Sequence, residues 1–318
     1  VSATHLYVHL PFCAHRCGYC DFVTVLGEDD HDGYVAALLT ELRLEAEHLP
    51  DPPRTVFLGG GTPSFTAPGA LAQLLAALPQ AVEVTVEANP ETVTPALAAL
   101  LRDGGVNRVS LGVQSFHPRL LELLGRLAGP DQARRAVELL REAGFDNISL
   151  DLIYGIPGQG VADLEADLAQ ALALEPDHLS AYELEAKPGT RFTHRHGVAL
   201  KAQAEAMESY LELVVGTLRA AGYRWYETSN FCRLDPARDL RSQHNLGVWL
   251  GHDYLGIGVG AVSTLGERRW RNAPSLPRYL AALRNGRRPP RELELLVPPL
   301  RQHERVMLGL RLDEPLAL

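Results

Sequence analysis

From residue 5 to about residue 222, short β-branched and apolar runs alternate with longer stretches in which Leu and Ala recur at helical spacing. The runs HLYVHLPF (5–12), TVFLG (55–59), VEVTVEA (82–88), RVSLGVQ (108–114), NISLDLIY (147–154) and HLSAYEL (178–184) predict strands. Helices are predicted between them near 33–48, 68–78, 94–103, 131–143 and 161–174, with another over 202–221. Pro50, Pro52 and Pro53 break the chain before the second strand, and Gly144 and Gly222 suit helix ends. Six strand–helix repeats imply an α/β fold with a parallel sheet, either barrel-like or open and doubly wound.

The polar residues favour a barrel. Cys13 follows the first strand, Thr62 the second, Glu87 and Asn89 the third, and Gln114 and Ser115 the fourth. Asp151 lies in the fifth strand, and Tyr182 and Glu183 close the sixth. In a barrel the carboxyl ends of the strands share one mouth, where such residues would meet. The expected architecture is therefore a partial (β/α)6 barrel over 1–222 with a smaller α+β extension over 223–318. In that extension 223–231 and 255–264 predict strands, and 275–285 and 301–310 predict helices. RNGRRPPRELE reads as a connector. The chain stops at LDEPLAL, where another helix is expected to begin.

A net charge of −9 and a pI near 5.7 argue against a nucleic-acid-binding surface. No apolar run is long enough for a membrane span, and no secretory signal opens the chain, so the expected location is the cytoplasm. Four cysteines in 318 residues do not make a disulfide framework. Three of them, Cys13, Cys17 and Cys20, form C-x3-C-x2-C directly after the first strand. Three thiolates at that spacing can hold three irons of a [4Fe–4S] cluster and leave the fourth iron open to a small chelator. Zinc held by the three cysteines with His9 or His15 is the alternative, although zinc sites usually come as two separated C-x2-C halves. Cys232, far away in SNFCR, reads as a small buried residue.

The cysteine motif, with an aromatic before its last Cys, resembles the signature of radical S-adenosylmethionine proteins. GGGTPS (59–64) resembles that family's glycine loop, where bare backbone approaches the methionine end of the cofactor. YVHLPFC, VEANPE, LGVQSF, LGR, SLDLIYGIPGQ and YELEAKPGT extend the likeness over almost the whole chain. Together they resemble the group containing oxygen-independent coproporphyrinogen III oxidase and a related heme chaperone. The resemblance implies that Tyr7, Tyr19, Gly60, Gly61, Thr62, Glu87, Gln114, Arg126 and Asp151 contact S-adenosylmethionine. Ala128 departs from the pattern, because relatives commonly place a His after LGR.

Two details divide the group. The oxidase carries a fourth cysteine two positions after the third and a Phe before it; here YCDF places Phe22 and Tyr19 at those positions, the chaperone form. The chaperone branch also has an HNxxYW motif associated with heme, matched here by HNLGVW (244–249) with Val248 in place of the tyrosine. The resemblance thus implies heme as a further ligand, with His244 as its axial ligand and Trp249 beside it. Arg233, Arg238, Arg241, Arg268, Arg269 and Arg271 are candidate propionate partners. The partners it implies are apo-hemoprotein acceptors, with peripheral contact at a membrane surface compatible with the reading. Two other classes compete with a heme carrier: an oxidase that abstracts hydrogen from propionate side chains ahead of decarboxylation, and a zinc-stabilised binding barrel.

Overall fold

The computed structural model describes residues 2–27, 30–50, 52–185, 187 and 191–315. The end of YELEAKPGT and the last three residues of LDEPLAL lie outside them. The six predicted strands form as β1 (His5–Leu10), β2 (Thr55–Gly60), β3 (Glu83–Ala88), β4 (Arg108–Gln114), β5 (Ile148–Tyr154) and β6 (His178–Glu183). They are parallel neighbours in that order, with His5 opposite Thr55 and Ser149 opposite His178. The helices α1 (His31–Leu44), α2 (Pro68–Ala77), α3 (Pro95–Asp103), α4 (Pro118–Leu124), α5 (Pro130–Glu142) and α6 (Val161–Ala173) fall between them. Thr94 caps α3 by accepting from the Leu97 N–H.

Alternation along these strands divides them into two faces. Leu6, Val8, Leu10, Val56, Leu58, Val84, Val86, Val109, Leu111, Leu150 and Leu179 join the core that packs against the helices. The intervening positions are largely polar: His5, Thr55, Glu83, Arg108, Ser149 and His178 at the strand starts, and Glu87, Gly112 and Tyr182 further on. The lumen is therefore hydrogen-bonded rather than filled by branched apolar side chains, as at Ser149 Oγ, 2.8 Å from His178 Nδ1.

The barrel does not close. Among the described residues twelve strands form one sheet. Beyond α7 (Arg191–Gln203) and α8 (Met207–Ala220), a hairpin of β7 (Tyr223–Glu227) and β8 (Asn230–Arg233) extends one flank, with β8 antiparallel to β6. On the other flank β9 (Tyr254–Ile257) runs parallel to β1. It is followed by antiparallel β10 (Val262–Leu265), β11 (Arg268–Asn272) and β12 (Arg291–Leu295). The predicted helix over 202–221 forms as α8, α7 precedes it without a counterpart in the sequence reading, and the predicted strands at 223–231 and 255–264 are hairpins. RELE belongs to a strand rather than a connector, because Arg271 pairs in register with Glu292 and Arg269 with Glu294.

Helix α9 (Gln243–Trp249), which carries all of HNLGVW, crosses the amino-terminal ends of the strands. The Glu83 carboxylate at the start of β3 accepts from the Gln243 and His244 N–H groups at 3.0 and 3.1 Å. A second carboxylate, fully buried Glu41 on α1, clasps the other flank together with α10 (Leu276–Arg284). It accepts from Gly258 N–H, Asn272 Nδ2 and Tyr279 O–H at 2.7–2.8 Å. The last helix, α11 (Pro298–Gly309), packs near α9.

Candidate functional site

The cysteine loop is pinned at both ends. Phe12 and Cys13 pair with Val25 and Leu26, and His9 Nε2 is 2.8 Å from the Val23 carbonyl. The glycine loop lies directly against it: Gly61 N–H donates to the Leu10 carbonyl and Thr62 N–H to that of Phe12, both at 2.8 Å. A Cβ at Gly61 would stand 2.6 Å from the Pro11 carbonyl, and Gly60 has φ +113 with His9 where its Cβ would be. Both positions need glycine, for close approach and for left-handed backbone respectively.

A cleft of about 410 Å³ opens over the carboxyl ends of β1–β6. All three motif cysteines line it, as do Tyr19, Gly60, Gly61, Thr62, Glu87, Gln114, Arg126 and Asp151. Tyr7 does not line it; its ring lies lower in the lumen, stacked on Phe57, with its hydroxyl 3.1 Å from His9 Nδ1. Gln114 is held at φ 70, where the β4–β5 register slips. Left-handed backbone at a non-glycine residue is a strain that functional sites tend to retain.

The donors suit an iron–sulfur cluster and a zwitterionic ligand. Thr62 Oγ1 lies 3.5 Å from the Cys13 sulfur and Arg126 Nη1 lies 3.6 Å from that of Cys17. Arg126 Nη2 donates at 2.7 Å to both Asn89 Oδ1 and the Gly112 carbonyl, and its Nε is buried without a partner among the described residues. Burial raises the Cys13 and Cys20 thiols above their ordinary range. Among the described residues no three His, Cys, Asp or Glu side chains are gathered around a single-ion site. His9, one candidate fourth ligand for zinc, has both ring nitrogens engaged. A cubane asks for something different, since each cysteine holds its own iron.

Opposite the cysteines stand two carboxylates. Burial, reinforced by Asp151, pushes Glu87 up to about 7, although the Gly60 N–H at 3.2 Å and Arg108 pull the other way. Burial also raises Asp151, against hydrogen bonds from Ser110 at 3.1 Å and the charge of Arg108. Asn89, which the sequence already places at the mouth after the third strand, bridges Arg126 and Thr62, and Ser110, which holds Asp151, is a site residue that the sequence reading does not single out. Strand alternation is the signal that points to Ser110.

His244 is elsewhere. It lies in the barrel floor, 5 % exposed, with Nδ1 2.8 Å from Thr55 Oγ1 and its ring against Phe57. Burial lowers it to about 3, so it is neutral, and it lies on the buried side of α9, the helix that carries it. Three of the candidate propionate partners are already committed: Arg238 to Asp146 and Asp235, Arg241 to Asp239 and Glu314, and Arg269 to Glu294 and Glu304.

Residues 7–171 match the Radical SAM superfamily model. The chain is 39 % identical to the heme chaperone HemW of Mycobacterium tuberculosis strain H37Rv, over 98 % of this chain and 83 % of that protein. The chain belongs to the HemW family of radical SAM proteins. It is also 41 % identical to the heme chaperone HemW of Escherichia coli, over 80 % of this chain and 68 % of the relative. Among solved structures, coproporphyrinogen III oxidase (HemN) from Escherichia coli aligns over 98 % of this chain and 76 % of that one. The TM-score is 0.80 and the identity 24 %, a likeness of fold. The expected α/β partial barrel is the radical SAM fold seen in that match, with the sheet left open.

Proposed function

We propose that this chain is a heme chaperone that carries a [4Fe–4S] cluster, binds S-adenosylmethionine and passes heme to apo-hemoproteins. The observation that carries the reading is the near full-length identity to HemW proteins, and Phe22 where the oxidase pattern has its fourth cysteine agrees with it. In this reading the acceptors lie in the cytoplasm or at a membrane surface, reached there by peripheral contact. No helix among the described residues is long and apolar enough to cross a membrane.

In this reading Cys13, Cys17 and Cys20 hold the cluster, which supplies low-potential electrons and one open coordination position. Gly60 and Gly61 let the ligand meet bare backbone, Arg126 faces its carboxylate, and Glu87 and Asp151 accept from its amine and ribose hydroxyls. Tyr7 acts from beneath through the lumen, and Tyr19 and Gln114 border the adenosine side. His244 reaches heme directly only if α9 leaves the floor.

Hemin titrated into the reconstituted chain is expected to give a saturable Soret shift at one heme per chain, and the loaded protein to reconstitute an apo-globin. Absence of saturable binding would sink the chaperone reading.

Glu87 sets a pH dependence. Its raised value means that it holds a proton below about 7, and a cationic sulfonium ligand favours the carboxylate. S-adenosylmethionine should therefore bind more tightly as pH rises from about 6 to 8, with proton release between those limits. Calorimetry in buffers of different ionisation enthalpy measures that release. Glu87→Gln should bind more weakly and lose the pH dependence; an unchanged profile would remove Glu87 from the site.

A further inference from the structure

Directly after α9 the chain turns through Gly251, at φ 72, and presents His252 at the surface before β9 begins. His252 is exposed, and its Nδ1 is 3.2 Å from Nε2 of buried His5, with the two rings stacked at 5.5 Å. His5 Nδ1 is 2.8 Å from Thr55 Oγ1, which is 2.8 Å from His244 Nδ1. A continuous hydrogen-bonded chain thus runs from the surface imidazole to the sealed one. Gly247 permits it: a Cβ there would stand 2.2 Å from His5 Nε2.

The chain has a sense that matters chemically. If Thr55 O–H donates to His244, His5 Nδ1–H donates to Thr55 and His252 Nδ1–H donates to His5. The Nε2 lone pair of His252 is then left for an outside ligand. Iron-ligating histidines are held in this way, with the second ring nitrogen donating inward to a fixed acceptor.

The surroundings suit heme's charge. Partial burial lowers the proton affinity of His252, and Arg54 and Arg305, both exposed, lie near enough to lower it further. Arg54 donates to Gln243 at 2.9 Å, and among the described residues neither arginine is in an ion pair with a carboxylate. The neighbouring Asp253 is neutralised by Arg301 at 3.0 Å. Leu250 is 40 % exposed beside the turn, and Trp249 carries the Arg311 guanidinium 4.2 Å from its ring.

We propose that heme iron is ligated by Nε2 of His252, that Arg54 and Arg305 pair with the propionates, and that His244 is a positioning residue fixing the ligand's tautomer through Thr55 and His5. The inference rests on the heme-binding reading above and moves the ligand from the floor to the surface.

The test is hemin titration of the full chain and four variants, followed in the ferric and ferrous states. His252→Ala should weaken binding by about tenfold or more and displace the Soret band. His252→Met should bind with the spectrum of thioether ligation. His244→Ala should keep the Soret position and lose only about two- to fivefold in affinity, because it acts through two intervening groups. Arg54→Gln combined with Arg305→Gln should weaken binding about tenfold with the Soret band unmoved. Wild-type spectra in both His252 variants, or loss of ligation confined to His244→Ala, overturns the proposal while leaving the chaperone reading intact. Failure of the wild type to bind hemin saturably overturns that reading itself, and the proposal with it.

Discussion

Cys17→Ala is expected to leave the chain unable to hold a [4Fe–4S] cluster. Iron after anaerobic reconstitution should fall from about four atoms per chain to below about one, with loss of the brown visible absorption. Cys17 is partly exposed in a loop outside the main sheet, where Arg126 Nη1 is 3.6 Å from its sulfur. Its removal touches little packing, so circular dichroism and the melting curve should remain close to those of the wild type. Two remaining cysteines cannot anchor three irons, and the open position that would take the ligand's amine and carboxylate goes with them. Affinity for S-adenosylmethionine should therefore fall together with iron content. Cys232→Ala is the control: that thiol is 3 % exposed, packs with Tyr226 and Leu240, and is pushed up to about 11 by burial. It should reconstitute normally. A Cys17→Ala protein that retains about four irons would refute the cluster assignment.

Glu41→Ala should be the most destabilising single change outside the site, at about 3–5 kcal/mol. The carboxylate has no solvent exposure and accepts three hydrogen bonds from three separate elements. Arg291 supports it at 3.6 Å and also pairs with Glu45 at 2.7 Å. Truncation leaves the Gly258 N–H and the Tyr279 hydroxyl buried without that acceptor and reduces the Asn272 amide to its bond with the Gly258 carbonyl at 2.9 Å. It also opens a void between α1 and the β9–β11 flank. Glu41→Gln keeps the volume but turns an amide N–H₂ toward donors, so an intermediate loss is expected. Urea denaturation of the three proteins measures the order. A Glu41→Ala variant within about 1 kcal/mol of wild type would mean that the flank is held by its strand ladder alone.

Chemistry carried by residues close together along the chain is legible in the amino-acid sequence alone. The cysteine loop spans eight residues, the glycine loop follows one strand, and the polar residues at strand ends converge because parallel strands share one mouth. Tyr7 is harder to place. It is one position removed from the apolar face of β1, but how deep it sits depends on Phe57 and His9. The floor is not legible at all. HNLGVW reads as an open ligand motif, yet α9 fills the end of a polar lumen and its histidine is consumed by Thr55.

The sequence by itself determined the family, the βα repeat, the three-cysteine loop and most of the cleft lining. Each of these is written in spacings of a few residues or in a strand's period of two. Tertiary structure decided that RELE is a strand, that the sheet stays open with added strands on both flanks, and that one histidine is sealed while another is presented. Those outcomes depend on positions as far apart as His5, Arg54, His252 and Arg305. Side chains separated by hundreds of residues acquire a shared electrostatic environment only when the backbone brings them together.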